Sequence, residues 1–306
     1  MTSTRVPEHK TTPLPPLVKS FQRHLRAERK EEATVAHYVG ATLQFLQFCY
    51  DERLPVIQNV TREHVEMWLE ELHTRLRPAS VRNRFTGLRI FIRWLVAEGE
   101  IQKDPMARIK PPSVEKSPKD IAPVEDMARV FKMLEKKRDW RGAAMVAILY
   151  DTGMRATELA DLRTEHVDMD TGRIAIVKAK GDRFRTVRVS PATVRYLDRY
   201  HRKERFAPEY VLSGPRGKLT RSGIYWAVRK IFEEAGVKPL FNKGIGAHSM
   251  RHTSATHVAA SMSERDMMLL YGWTDASMAR HYAQNAIAEA ALESHAKHSP
   301  MEKLGR

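Results

Sequence analysis

A mainly α protein is the fold class this sequence predicts: an all-α helical domain, then an α+β domain that adds a small β-sheet to its helices. Three observations carry the reading. Apolar residues recur at helical spacing from Leu17 to about residue 98. Residues 110–119 gather three prolines and three lysines, a composition that resists both helix and strand pairing and marks a connector. Further on, the runs 173–177 and 186–189 are short, apolar and β-branched, as strands of a hairpin are. At 306 residues the chain is long enough for each half to bury a core of its own.

Residues 1–16 hold four prolines and no periodicity, so a flexible arm is expected there. A helical domain follows over 17–109, with helices at about 17–30, 33–52, 61–75 and 79–98. Thr61 is the N-cap of the third and Pro78 opens the fourth. That fourth helix carries Val81, Phe85, Leu88, Ile92 and Leu95 on one stripe, with Arg82, Arg89 and Arg93 on the next. With Arg84, residues 80–95 contain four arginines and no acid, and an uncompensated basic face of this kind suits a phosphate backbone or a major groove.

The linker occupies 110–122 and would let two domains close on a rod from opposite sides. A second domain is expected over 123–295 and a tail over 296–306. Its helices fall near 124–137, 140–151 and 155–162. After the strands of 173–189 come a helix at 191–205, a strand at Tyr210-Val211-Leu212, and helices near 220–235, 247–260, 263–271 and 275–284.

Charge names the class of partner. Lys and Arg number 52 against 37 Asp and Glu, net +15, with +5 in residues 1–110 and +10 in the remainder. Both halves are suited to one polyanion. Cys49 is the single cysteine, so an internal disulfide is excluded and a reducing compartment, the cytoplasm, is expected. No apolar stretch of membrane-spanning length occurs in the sequence, and no membrane association is expected.

Side chains suited to a phosphodiester are scattered through the second half. Arg155 follows Thr152-Gly153 at a helix start, where guanidinium and helix dipole both favour an anion, and Glu158 is placed to pair with it at i,i+3. Lys180 precedes Gly181 at a hairpin tip shared with Lys178 and Arg183. His248 and Arg251 are three apart on one helix. His248 and His252 have the spacing of a zinc helix, but Ser249 stands where the metalloprotease pattern has Glu, so no metal is expected. Trp273 offers an indole N–H, which donates only, and Tyr282 a phenol that needs a base or a dense positive field to attack at neutral pH.

Taken as blocks, Thr152-Gly153-Met154-Arg155 through Leu159, Lys180-Gly181 in its hairpin, His248-Ser249-Met250-Arg251-His252, and Tyr271-Gly272-Trp273 followed by Tyr282 resemble the tyrosine recombinase (phage integrase) family, in the family's order. The resemblance spans roughly residues 15–295. One departure is Trp273, where most members have histidine. The resemblance implies a C-shaped clamp around double-stranded DNA and a site-specific recombinase that needs no cofactor. Arg155 and Arg251 would hold the non-bridging oxygens, Trp273 would add a donor, Tyr282 would form a 3′-phosphotyrosine, Lys180 would protonate the 5′-oxygen and His248 would accept the phenol proton. Glu158 and His252 would support them, and the segment after Tyr282 would dock on a neighbouring protomer in a dimer or tetramer on DNA. A type IB topoisomerase is the enzymatic rival and a non-catalytic architectural DNA-binding protein the other.

Overall fold

The computed structural model describes residues 15–54, 57–115, 120–177, 184–203, 208–238 and 244–299. All but the end of the arm expected at 1–16 therefore lies outside the described residues, as does most of the tail expected at 296–306. The chain divides into two compact units, Met1–Lys116 and Ser117–Arg306.

The first unit is helical: α1 (Pro16–Ala27), α2 (Glu32–Asp51), α3 (Arg62–Arg75) and α4 (Pro78–Ala97). Proline stands in the first turn of α1 and of α4, where its missing N–H costs no helix hydrogen bond. Thr61 caps α3 as the sequence predicts, through a reciprocal pair in which its side chain accepts from His64 N while His64 Nδ1 accepts from Thr61 N. Phe21, Phe45, Trp68, Phe85 and Phe91 are fully buried at the centre. Gly87 lets α4 lie directly on α2, since a Cβ there would meet Ala41 Cβ at 2.6 Å. The four helices expected from periodicity all form, each boundary shifted by three residues or fewer.

The second unit is built on α6 (Trp140–Thr152), where every residue from Gly142 to Leu149 is buried. Asp139 caps it by accepting from Gly142 N at 2.8 Å. Around α6 pack α5 (Val124–Lys137), α8 (Pro191–Lys203), α9 (Arg221–Glu234) and α10 (Ala247–Ala259). The short α7 (Ala156–Asp161) leads into an antiparallel sheet, β1 (Val167–Asp168), β2 (Arg173–Ile176) and β3 (Arg185–Arg188), with Ile174 opposite Val187 and Ile176 opposite Arg185. Ile174, Ile176 and Val187 point into the core. Two-residue strands β4 (Ser213–Gly214) and β5 (Gly217–Lys218) form a small hairpin, and α11 (Glu264–Tyr271) and α12 (Ser277–Lys297) complete the unit.

The sequence expectation lacks β1 and the β4–β5 hairpin, and two of the elements it does contain differ in the structure. The segment 210–212 is not a strand: Val211 and Leu212 are buried, but Tyr210 makes only an isolated bridge to Arg163, and the ladder begins at Ser213. Burial there comes from packing, so an apolar run mimics a strand. The helix expected at 275–284 instead runs unbroken to Lys297, because residues 285–297 contain no proline or glycine and are rich in alanine and glutamate. Among the described residues, no helix is long and apolar enough to cross a membrane.

Candidate active site

Gly153 sets the geometry of the first arginine. It closes α6 in the left-handed region at φ 54°, and a Cβ there would come within 2.1 Å of the Tyr271 ring. After this turn Met154 is buried and Arg155 becomes the N-cap of α7. Glu158 accepts from Arg155 N at 2.8 Å and from its Nη1 at 2.9 Å, so the expected i,i+3 pairing is present in two forms. The Arg155 side chain stays 45% exposed while that of Glu158 is 7% exposed.

A second arginine that sequence reasoning did not single out completes this carboxylate. Arg185 donates from Nη1 and Nη2 to the two Glu158 oxygens at 3.0 and 2.8 Å and from Nε to Leu270 O at 2.9 Å. Burial opposes ionisation of Glu158, yet the hydrogen bonds from Arg185 and from Arg155 N, with both guanidinium charges, hold its carboxyl down at about 2. The signal was strand alternation: Arg185 shares a face with Val187 and Val189, and an arginine on an apolar face calls for a buried partner.

Arg251, on α10, is 6% exposed. It donates from Nη1 to Gly153 O at 2.8 Å and from Nη2 to Tyr271 O at 2.7 Å, and its guanidinium lies over the rings of Tyr271 and Trp273. Burial, with repulsion from Arg155 and Arg185, pushes it down to about 10, so it is charged at neutral pH. One carboxylate thus stands among three guanidinium groups, leaving a net positive field.

Tyr282, on α12, is 3% exposed. Its ring lies parallel to Trp273 at 5.4 Å, and Trp273 stacks in turn on Tyr271 at 4.7 Å. Its hydroxyl is hydrogen-bonded to His252 Nδ1, and His252 Nε2 lies 3.1 Å from Nε2 of the exposed His248. Burial raises the phenol to about 12, against the pull of Arg251. The sequence points to His248 as the acceptor of the phenol proton; in the structure α10 turns His252 toward Tyr282, and His248 stands one step further out. Trp273 contributes its ring face to Arg251 and to both tyrosines. Lys180, with Lys178 and Arg183, lies outside the described residues.

The four arginines singled out in the first unit take different surroundings. Arg84 Nε donates to Gln44 Oε1 at 2.6 Å, Arg89 lies over the Phe85 ring, and Arg82 and Arg93 are exposed. Among the described residues none of the four is held in an ion pair, so α4 keeps its basic face uncompensated. No group of three or more His, Cys, Asp or Glu suited to a metal ion occurs among the described residues.

Comparison with known proteins identifies two matches to family models: the phage integrase family over residues 123–289, and the phage integrase N-terminal SAM-like domain over residues 17–100. The chain is 29% identical to a tyrosine recombinase XerC of Roseiflexus castenholzii over 280 residues, 87% of each chain. It is 27% identical to a tyrosine recombinase of Pseudothermotoga lettingae over 247 residues, 79% of this chain and 84% of that one. Among solved structures, a lambda integrase dimer bound to a COC′ core site matches with TM-score 0.70 at 16% identity, over 87% of this chain and 75% of that one. A Tn1549 transposon integrase in complex with a circular intermediate DNA matches with TM-score 0.70 at 16% identity, over 87% and 94%.

Proposed function

The chain belongs to the phage integrase family, and from that premise we propose that it is a site-specific DNA recombinase, cutting and rejoining strands through a phosphotyrosine at Tyr282. The observation that carries the proposal is that Arg155 at the N-cap of α7, Arg251 on α10 and Tyr282 on α12 come close enough for Arg251 to feel the charge of both, with His252 hydrogen-bonded to the phenol. An anion held by two guanidinium groups and facing a phenol is the arrangement that phosphoryl transfer needs.

In this reading Arg155 and Arg251 donate to the non-bridging oxygens of the scissile phosphate, and their hydrogen bonds strengthen as negative charge grows on the phosphorane. Tyr282 leaves its stacked resting position, its oxygen bonds to phosphorus, and its proton passes to His252, with His248 as the exposed end of the relay. The bond from phosphorus to the 5′-oxygen breaks, and Lys180 donates the proton that oxygen takes up. The phosphotyrosine keeps the energy of the diester, so a 5′-hydroxyl from another strand reverses the step. Trp273 packs against the nucleophile and Arg251; as a donor-only ring it takes no proton. The arginines of α4, the exposed Arg82 and Arg93 with the half-buried Arg84 and Arg89, supply phosphate contacts from the first unit.

Double-stranded DNA is the substrate in this reading, and two or more protomers assemble on it. The matched lambda integrase is a dimer on its core site and, in another structure, a tetramer on a Holliday junction. The part of α12 beyond Tyr282 exposes Ile287 at 69% and Leu292 at 63%, an apolar edge suited to a neighbouring protomer. The cytoplasm, on the nucleoid, is the compartment assigned. The test is a two-site recombination assay beside supercoil relaxation, using DNA repeats that flank the gene. Exchange between two sites without processive relaxation supports the recombinase; relaxation without exchange would assign a topoisomerase-like activity instead.

A further inference from the structure

We propose that Arg185 is a positioning residue for Arg155: by occupying both oxygens of Glu158 it prevents that carboxylate from drawing Arg155 inward, and so leaves Arg155 donors for the scissile phosphate. The inference rests on the reading of Arg155 as a phosphate-holding residue.

The geometry behind it is a division of labour on one buried carboxylate. Glu158 has two oxygens and receives four hydrogen bonds, two from Arg185 and one each from Arg155 N and Arg155 Nη1. Arg185 supplies the bidentate pair and Arg155 only a single guanidinium nitrogen. The exposures agree with those roles: the side chain of Arg185 is 11% exposed and that of Arg155 45%. The Arg185 guanidinium is also held through Nε, which donates to Leu270 O, and the side chain runs along Gly272. A Cβ on Gly272 would meet Arg185 Cδ at 3.3 Å and Nη1 at 3.4 Å, and Gly272 already sits at φ +63°. Arg185 therefore ties β3 to the C-terminal end of α11 and to the residue before Trp273.

Without Arg185, a buried carboxylate loses half its hydrogen bonds and keeps its charge. The nearest remaining cation is Arg155, and a bidentate pair between them offsets that loss most completely. Arg155 would then turn its fork to Glu158, away from the phosphate. A displacement of about 1 Å at a group that orients the reacting centre is worth on the order of 10²-fold in rate.

Four full-length proteins, parental, Arg185→Ala, Arg185→Lys and Arg155→Ala, are compared in single-turnover cleavage of a half-site suicide substrate. Each is run on the ordinary diester and on a methylphosphonate, in which a methyl group replaces one non-bridging oxygen and removes the charge the arginines oppose. Half-site affinity is measured alongside. Arg185→Lys keeps the charge but presents no fork, which guards against loss of the fold in the alanine variant. Expected are losses of about 10²-fold for Arg185→Ala and about tenfold for Arg185→Lys on the diester, near-parental affinity, and for both Arg185→Ala and Arg155→Ala a loss several-fold smaller on the neutral substrate. If Arg185→Lys cleaves the diester at the parental rate, or the Arg185 losses are equal on both substrates while those of Arg155→Ala are not, the positioning role is overturned and Arg155 stands. If Arg155→Ala itself cleaves at the parental rate, the reading of Arg155 falls and the inference with it.

Discussion

The hydroxyl of Tyr282 is hydrogen-bonded to Nδ1 of His252, the residue that follows the buried Arg251 on α10. The phenol is protonated at neutral pH and burial raises it further, to about 12; in the proposed reaction the imidazole beside it takes that proton as the oxygen moves toward phosphorus. In the tautomer that accepts at Nδ1, His252 carries its proton on Nε2 and donates it toward Nε2 of His248.

The two histidines are therefore expected to differ in effect. His252→Ala should slow single-turnover cleavage by about 10²-fold, the usual contribution of a positioned general base, and His248→Ala by much less. Equal losses from the two variants, or a larger loss from His248→Ala, would return the acceptor role to His248.

Arg251 and Arg155 should separate stability from rate. Arg251→Ala leaves the carbonyls of Gly153 and Tyr271 without their donors inside the fold, at a cost of about 1–3 kcal/mol per group, so both melting temperature and cleavage should fall. Arg155→Ala removes a half-exposed side chain, and cleavage should fall with a smaller thermal shift. Thermal unfolding beside single-turnover kinetics reads both.

Acid sensitivity should follow Glu158. Its carboxyl titrates near 2 in the folded chain against an ordinary value near 4.5, so its contribution to stability is complete above about pH 4.5 and is lost as the pH falls toward 2. The difference corresponds to roughly 3 kcal/mol. Glu158→Gln should be less stable at neutral pH and show a flatter decline between pH 4.5 and 2 in denaturant midpoints. A parallel decline in both proteins would contradict the ion-paired state.

Truncation after Asn285 removes the apolar edge of α12 that includes Ile287 and Leu292. Binding to a single half-site should persist, while cooperative filling of paired half-sites and recombination should drop. A gel-shift titration measures this, and unchanged cooperativity would mean that the segment packs on its own unit.

Much of this was legible in the sequence because it is local. The Thr61 cap, the stripe on α4 and the Arg155–Glu158 pairing all depend on residues within a few positions of each other. Arg185 was not, since its carboxylate partner lies 27 residues away and its role appears only when β3 packs beside α7 and α11. The choice between His248 and His252 depends on the rotation of α10 against α12, which helical spacing alone does not fix. Likewise Val211 and Leu212 are buried by packing, a state that an apolar run shares with a strand. Helical spacing also places Ile287, Ala288, Ala291 and Leu292 on a short helix, but that this helix is continuous with the one bearing Tyr282 appears only in the structure.

The most direct test of the account is the covalent intermediate itself. Parental protein and Tyr282→Phe are incubated with a suicide substrate carrying the recombination site, then denatured in SDS and resolved with and without protease. A protease-sensitive, SDS-resistant adduct on the 3′ end is expected for the parental chain. None is expected for Tyr282→Phe, whose half-site binding stays near parental. An adduct of equal yield from Tyr282→Phe would contradict the account.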